Sequence, residues 1–155
     1  LNKSVLSLSH NDLDGISSQI VLGNLFNVKS FSCNYSETLE YMKNIKKYIH
    51  EYSRVIISDL TMDLYSMEYF ITLCNTFPSI KFYWVDHHYK SKEFLDTLSN
   101  INLQNSIILY NELKSSTKII ADYFKQSSEY IEAVNAFDIW KVKSEYFDLG
   151  MKYNT

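Results

Sequence analysis

An α/β fold is expected for this chain, with a mostly parallel sheet of about five strands and helices on both faces. Three observations lead there. Short β-branched apolar runs alternate with segments whose apolar residues recur three and four positions apart. Runs such as "VIIS" (55–58) and "FYWV" (82–85) are apolar almost without a break, as strands covered on both faces must be. Ionisable residues gather directly after several of these runs, and open parallel sheets bind ligands beyond the carboxyl ends of their strands.

The elements follow in order. A strand over 4–9 precedes a helix over 15–26, and a strand over 28–35 precedes a helix over 37–52. Ser36, with Leu39 and Glu40 behind it, has the character of a helix start. The third strand spans 54–60 and its helix 63–77, which Asn75 to Pro78 should stop. A fourth strand at 80–86, a helix at 92–98 and a fifth strand at 106–110 complete the alternation. Two helical segments, 115–125 and 128–140, close the pattern. No repeat, low-complexity tract or linker divides the 155 residues, so 1–155 reads as one domain.

Composition narrows the function classes. With 46% hydrophobic and 21% charged residues the chain can build a core and is not of the disordered kind. A net charge of −3 offers no overall attraction to nucleic acid or anionic lipid. Cys33 and Cys74 stand alone without CxxC spacing, which argues against a disulfide framework or a thiolate zinc site. No apolar run approaches the roughly 20 residues of a membrane helix, so a cytoplasmic protein without a membrane partner is expected. Trp84 should lie in the core, Trp140 should pack under the site, and the Lys-rich helix around His50 should be a solvated face.

The chemistry gathers at three strand ends. The first strand runs into His10-Asn11-Asp12-Leu13-Asp14-Gly15, the third into Asp59, and the fourth into Asp86-His87-His88; Asp138 follows in "NAFDIW". Carboxylates crowded in this way repel, and one of them takes up a proton unless a cation relieves the charge. Carboxylate and imidazole without thiolate suit Mn²⁺, Mg²⁺, Fe²⁺ or Zn²⁺. The ligands exceed what one ion needs, so two ions sharing a carboxylate are expected, with Asp59 on the middle strand end as the bridge. Gly15 is expected to let the backbone approach an ion or phosphate at a helix N-terminus.

"SHNDLDGIS", "ISDL", "VDHH" and "NAFDIW" resemble, in order, the four signature motifs of the DHH phosphoesterase superfamily. This superfamily includes the RecJ exonucleases, nano-RNases, cyclic-dinucleotide phosphodiesterases and manganese pyrophosphatases. The opening motif looks most like that of the NrnB-like oligoribonucleases and cyclic-nucleotide phosphodiesterases, and "SST" at 115–117 resembles a small-polar helix start common in the family. The resemblance covers Leu6 to Trp140 and implies a role for each matching residue. His10, Asp12 and Asp59 would hold one ion; Asp14, Asp59, His87 and Asp138 would hold the other. Asp86 would orient a metal-bound imidazole, and His88 would contact the phosphate. Two divalent ions, Mn²⁺ foremost and Mg²⁺ next, would activate water for attack on phosphorus.

The implied substrates are short RNA or DNA oligonucleotides or cyclic nucleotides. The family's second domain, DHHA1, is expected to be absent from this chain, and a homodimer stays open. The alternative is a metal-binding recognition or regulatory domain without turnover, for lack of that lid. "DLDG" also looks like the first motif of haloacid dehalogenase phosphatases, but Ile16 follows the glycine, His10 and Asn11 intervene after the strand, and "VDHH" would be left unexplained. An EF-hand fails because the glycine directly follows the second acid and no Glu stands at the required place.

Overall fold

The computed structural model describes residues 4–155 and has the expected α/β architecture. Five parallel strands, β1 (Ser4–His10), β2 (Asn27–Cys33), β3 (Arg54–Ser58), β4 (Lys81–Asp86) and β5 (Ser106–Tyr110), pair in the order β2-β1-β3-β4-β5. Seven α-helices accompany them: α1 (Leu13–Gly23), α2 (Thr38–Ile45), α3 (Leu64–Thr76), α4 (Lys92–Ile101), α5 (Ser116–Tyr123), α6 (Glu129–Asp138) and α7 (Phe147–Tyr153).

Alternation along the strands sorts the core into two layers. Leu6, Leu8, Val55, Ile57, Phe82 and Trp84 point to the face covered by α2, α3 and α4, where they meet Met42, Phe70, Leu73 and Leu95. Val5, Ile56, Tyr83 and Val85 point the other way, toward Val21, Leu22, Ile120 and Ile131 of α1, α5 and α6. Trp84 is fully buried, as expected, and its indole N–H donates to the Leu60 carbonyl at 3.0 Å.

Most helix starts sit on side-chain caps. Asp12 accepts from the Gly15 N–H at 2.9 Å, Asp63 from Ser66, Ser115 from Lys118 and Ser128 from Ile131, each covering an otherwise unpaired amide. Several expected bounds shift: the first helix runs Leu13–Gly23 rather than 15–26, and the third strand stops at Ser58 rather than 60, where Asp59 takes a left-handed φ. The second strand stops at Cys33 rather than 35, because the Asn34 N–H donates to the Glu37 carboxylate at 2.9 Å and the chain turns into a 3₁₀ segment, Tyr35–Glu37. The helix expected over 37–52 ends at Ile45 and tightens into a 3₁₀ segment, Lys46–Glu51. Helix α7 was not anticipated at all; it packs on α6, where a Cβ on Gly150 would lie 2.3 Å from the Ala133 carbonyl oxygen.

The strand order decides where a ligand can enter. The chain steps outward from β1 to β2 and then crosses back to β3, so β1 and β3 are neighbours whose following helices leave to opposite faces. A crevice opens at such a reversal, beyond the carboxyl ends of the strands. Among the described residues no helix is long and apolar enough to cross a membrane.

Candidate metal centre

Every sequence-predicted site residue comes to that rim. His10 is the last residue of β1, Asp12 caps α1, and Asp14 lies in its first turn. Asp59 directly follows β3, Asp86 ends β4 with His87 and His88 next, and Asp138 ends α6. Asp59 adopts φ 58°, in the left-handed region that few non-glycine residues occupy. Its N–H still donates to the Val85 carbonyl at 2.9 Å, extending the ladder by one bond before the chain turns and presents the carboxylate to the rim.

Asp14 shows how tertiary structure fixes a carboxylate. It is buried, and it accepts the Ser116 and Thr117 N–H groups at 2.8 Å each, two free amides at the start of α5. The Thr117 hydroxyl donates in turn to the Asp14 carbonyl at 2.8 Å. A Cβ on Gly15 would lie 2.0 Å from the His10 carbonyl oxygen, so the glycine lets α1 close onto the end of its own strand.

Three overlapping groups of ligand atoms result. His10 Nδ1 is 2.9 Å from one oxygen of Asp12 and 3.9 Å from one of Asp59. His87 Nε2 lies 3.3 Å from Asp59, 3.3 Å from Asp138 and 3.7 Å from Asp14. Within each of the sets His10–Asp12–Asp59, Asp14–His87–Asp138 and Asp59–Asp86–His87–His88, the ligand atoms converge within 4.8 Å; Asp59 belongs to the first and third and lies 3.3 Å from His87 of the second. Despite these short distances, His10 Nδ1, Asp59 Oδ2 and Asp138 Oδ2 are buried without any hydrogen-bond partner. Such atoms are costly to leave unpaired, and cations held by the first two of these sets would satisfy them. The donor set, carboxylate and imidazole only, fits a hard or borderline divalent ion.

The electrostatics agree. Burial, then the charges of Asp14 and Asp12, push the Asp59 carboxyl far above the ordinary carboxylate range. Burial and the same two acids push Asp138 up to about 8. Burial would also raise Asp12, but the adjoining Asp59, the hydrogen bond from the Gly15 N–H and the neighbouring His10 outweigh it and hold Asp12 low. His87 is pushed below the usual imidazole value, chiefly by burial.

The outer part of the rim is built differently. Asp86 was expected to orient a metal-bound imidazole; it instead accepts from His88 Nδ1 at 2.6 Å, leaving His87 to the inner acids. Its other oxygen accepts from the Ser91 hydroxyl, which also receives the Met62 N–H at 2.7 Å. Burial would lower the His88 value, yet the hydrogen bond and charge of Asp86 raise it. Two participants escaped the sequence reading. Ser91 offered only a serine five residues after an acid. Tyr35 was assigned to a strand, but its ring stacks on His10 with centroids 4.0 Å apart and planes 8° from parallel, and its hydroxyl is 3.2 Å from His88 Nε2. Trp140 does not pack under the site; it is 66% exposed at φ 57°, with edge contacts to Phe147. His50 is exposed, as expected.

No family model and no curated protein matches the chain. Solved structures do. The chain is similar to an uncharacterized protein of Helicobacter pylori G27, at 25% identity and a TM-score of 0.80 over 96% of its length. It spans 46% of that protein, so about half of the Helicobacter chain has no counterpart in the alignment. Two Burkholderia proteins described as pilus assembly proteins share the fold alone, at 11% identity. The one from B. pseudomallei has a TM-score of 0.51 over 80% of this chain and 88% of its own. The one from B. thailandensis has 0.50 over 79% and 94%.

Proposed function

We propose that this chain is the catalytic domain of a metal-dependent phosphodiesterase of the DHH type, cleaving short oligonucleotides or small cyclic nucleotides in the cytoplasm. One observation carries this reading. Acids and imidazoles from three strand ends and from α6 converge in overlapping sets around Asp59 and His87, and His10 Nδ1, Asp59 Oδ2 and Asp138 Oδ2 are buried without a hydrogen-bond partner.

In this reading His10, Asp12 and Asp59 hold one divalent cation, and Asp14, Asp59, His87 and Asp138 hold the other. Bound there, Mn²⁺ or Mg²⁺ supplies a lowered pKa for water and neutralises charge on a phosphoryl group. The protein's own groups prepare the rest. The α5 amides hold the Asp14 carboxylate in one orientation, so this ligand is set before anything binds. Asp86 accepts the Nδ1 proton of His88 and thereby leaves Nε2 facing outward, beside the Tyr35 hydroxyl. Asp86 favours the charged imidazole, and in that form Nε2 would donate to a phosphate oxygen as negative charge grows on it. No side chain is asked to attack phosphorus.

The test is a substrate screen. Purified protein with Mn²⁺, and the same protein in EDTA, is assayed against the dinucleotide pApA, short RNA, cyclic mononucleotides and pyrophosphate. Mn²⁺-dependent hydrolysis of a diester is expected. Tight Mn²⁺ binding with no turnover on any diester overturns the enzyme reading in favour of a recognition domain.

A further inference from the structure

Beside His88 lies a cleft of about 420 Å³, lined by Tyr35, Thr61, His88, Tyr89 and Lys90. A larger hollow of about 600 Å³ lies along α4, but of the residues just named only Tyr89 and Lys90 reach it, and no residue of the metal centre does. The smaller cleft is the one continuous with the chemistry, and its volume is that of a small-molecule site.

Its walls have a particular composition. Tyr89 is 78% exposed, the most exposed of the large hydrophobic side chains. Immediately after it, Lys90 is exposed and pairs with no carboxylate among the described residues, whereas Lys92 is bound to Asp96 at 2.7 Å and Lys118 to Asp122 and Glu132. Thr61 contributes a hydroxyl, and the Tyr35 hydroxyl with the His88 imidazole forms the wall nearest the centre. A bare aromatic ring, a free ammonium and hydroxyls beside the His88 imidazole suit one ligand chemistry. It is a planar base on a sugar phosphate, because stacking is open to any base and the ammonium neutralises an anion.

We infer that this cleft is a nucleotide subsite: Tyr89 stacks the base next to the scissile phosphate, and Lys90 pairs with a phosphate oxygen of the same nucleotide. Its place in catalysis rests on the proposed function, but its occupancy does not require turnover. It makes the enzyme select for a nucleoside beside the reacting bond and against bare phosphates such as pyrophosphate.

Calorimetric titration of the Mn²⁺-loaded protein with adenosine 5′-monophosphate and with ribose 5-phosphate reads the subsite directly. The base should tighten binding about tenfold over the sugar phosphate alone. Tyr89→Ala should erase that difference and leave ribose 5-phosphate unchanged; Lys90→Ala should weaken both probes to a similar degree. Tyr65→Ala, which removes an equally bare ring from α3, should change neither. Equal affinity for the two probes, or a base preference that survives Tyr89→Ala, overturns the subsite. Turnover of pApA without base preference leaves the phosphodiesterase reading standing and removes this one. Base preference without turnover does the reverse. Both substituted side chains are exposed, so an unchanged thermal melt confirms that folding is not what was altered.

Discussion

Asp59 and Asp86 are both fully buried acids at the ends of adjacent strands, yet their surroundings are opposite in kind. Around Asp86 the fold supplies a donor for each oxygen, from His88 and from Ser91. Around Asp59 it supplies three more acids, and Oδ2 has no hydrogen-bond partner. A buried carboxylate with its donors in place is satisfied; one surrounded by like charge favours a proton or a cation beside it. In the proposed reading this difference separates a group that would orient a neighbour from a group that would hold a cation, within one stretch of rim.

The sharpest way to break this contrast is to neutralise each acid in turn. Asp59→Asn should abolish both Mn²⁺ binding and diester hydrolysis, and the metal-free variant should melt higher than wild type because the crowding is relieved. Asp86→Asn should keep Mn²⁺ affinity while kcat falls about 10–100-fold, the range for groups that orient rather than bind. Titration calorimetry and turnover on one preparation decide this, and equal losses in both variants would dissolve the distinction. His88→Ala extends the outer side of the comparison: kcat should drop about 10²–10³-fold with Mn²⁺ affinity retained, since only a donor to developing charge is removed.

Metal itself should act through the inner acids. At a free Mn²⁺ concentration of 100 times Kd, stability should rise by about 2.7 kcal/mol, a shift of roughly 5–10 °C in Tm that EDTA reverses. A melt indifferent to both additions would count against the centre.

The pH dependence of the metal-free protein should follow the same groups. Asp138 titrates near 8 when folded but in the ordinary carboxylate range when unfolded. Its raised value therefore contributes stability in acid that is lost as pH climbs toward 8. Asp59 and His88, both raised, act with the same sign. His87, lowered, acts oppositely, but only below the usual imidazole value of about 6.5. Between about pH 6.5 and 8 the metal-free Tm should accordingly fall, and saturating Mn²⁺ should flatten the slope. The smallest effect belongs to Ser91→Ala. Loss of the Asp86 and Met62 contacts should lower stability by about 1–3 kcal/mol and kcat modestly, leaving Mn²⁺ affinity unchanged.

Much of this molecule was legible before any coordinates. Apolar runs and helical spacing located all five strands and six of the seven helices, because both periodicities are set by residues a few positions apart. His10, Asp12, Asp59, Asp86, His87 and His88 were legible for the same reason: each stands at or within two residues of the end of a recognisable strand. Asp138 depended on its motif alone. Helix α7 was missed because its amphipathic face is short and its docking rests on Gly150 meeting α6, a contact with no local signal.

What the sequence by itself determined, then, is the order of elements and the chemistry at their ends. Which ends meet was decided by the tertiary structure. Asp14 reaches amides 102 and 103 residues away, and Tyr35 reaches an imidazole 53 residues away, only because β1 lies between β2 and β3 and α1 lies against α5. The physical reason is range: dihedral preference and capping act over a few residues, while the neighbours of a buried charge are set by strand order and register across the whole sheet.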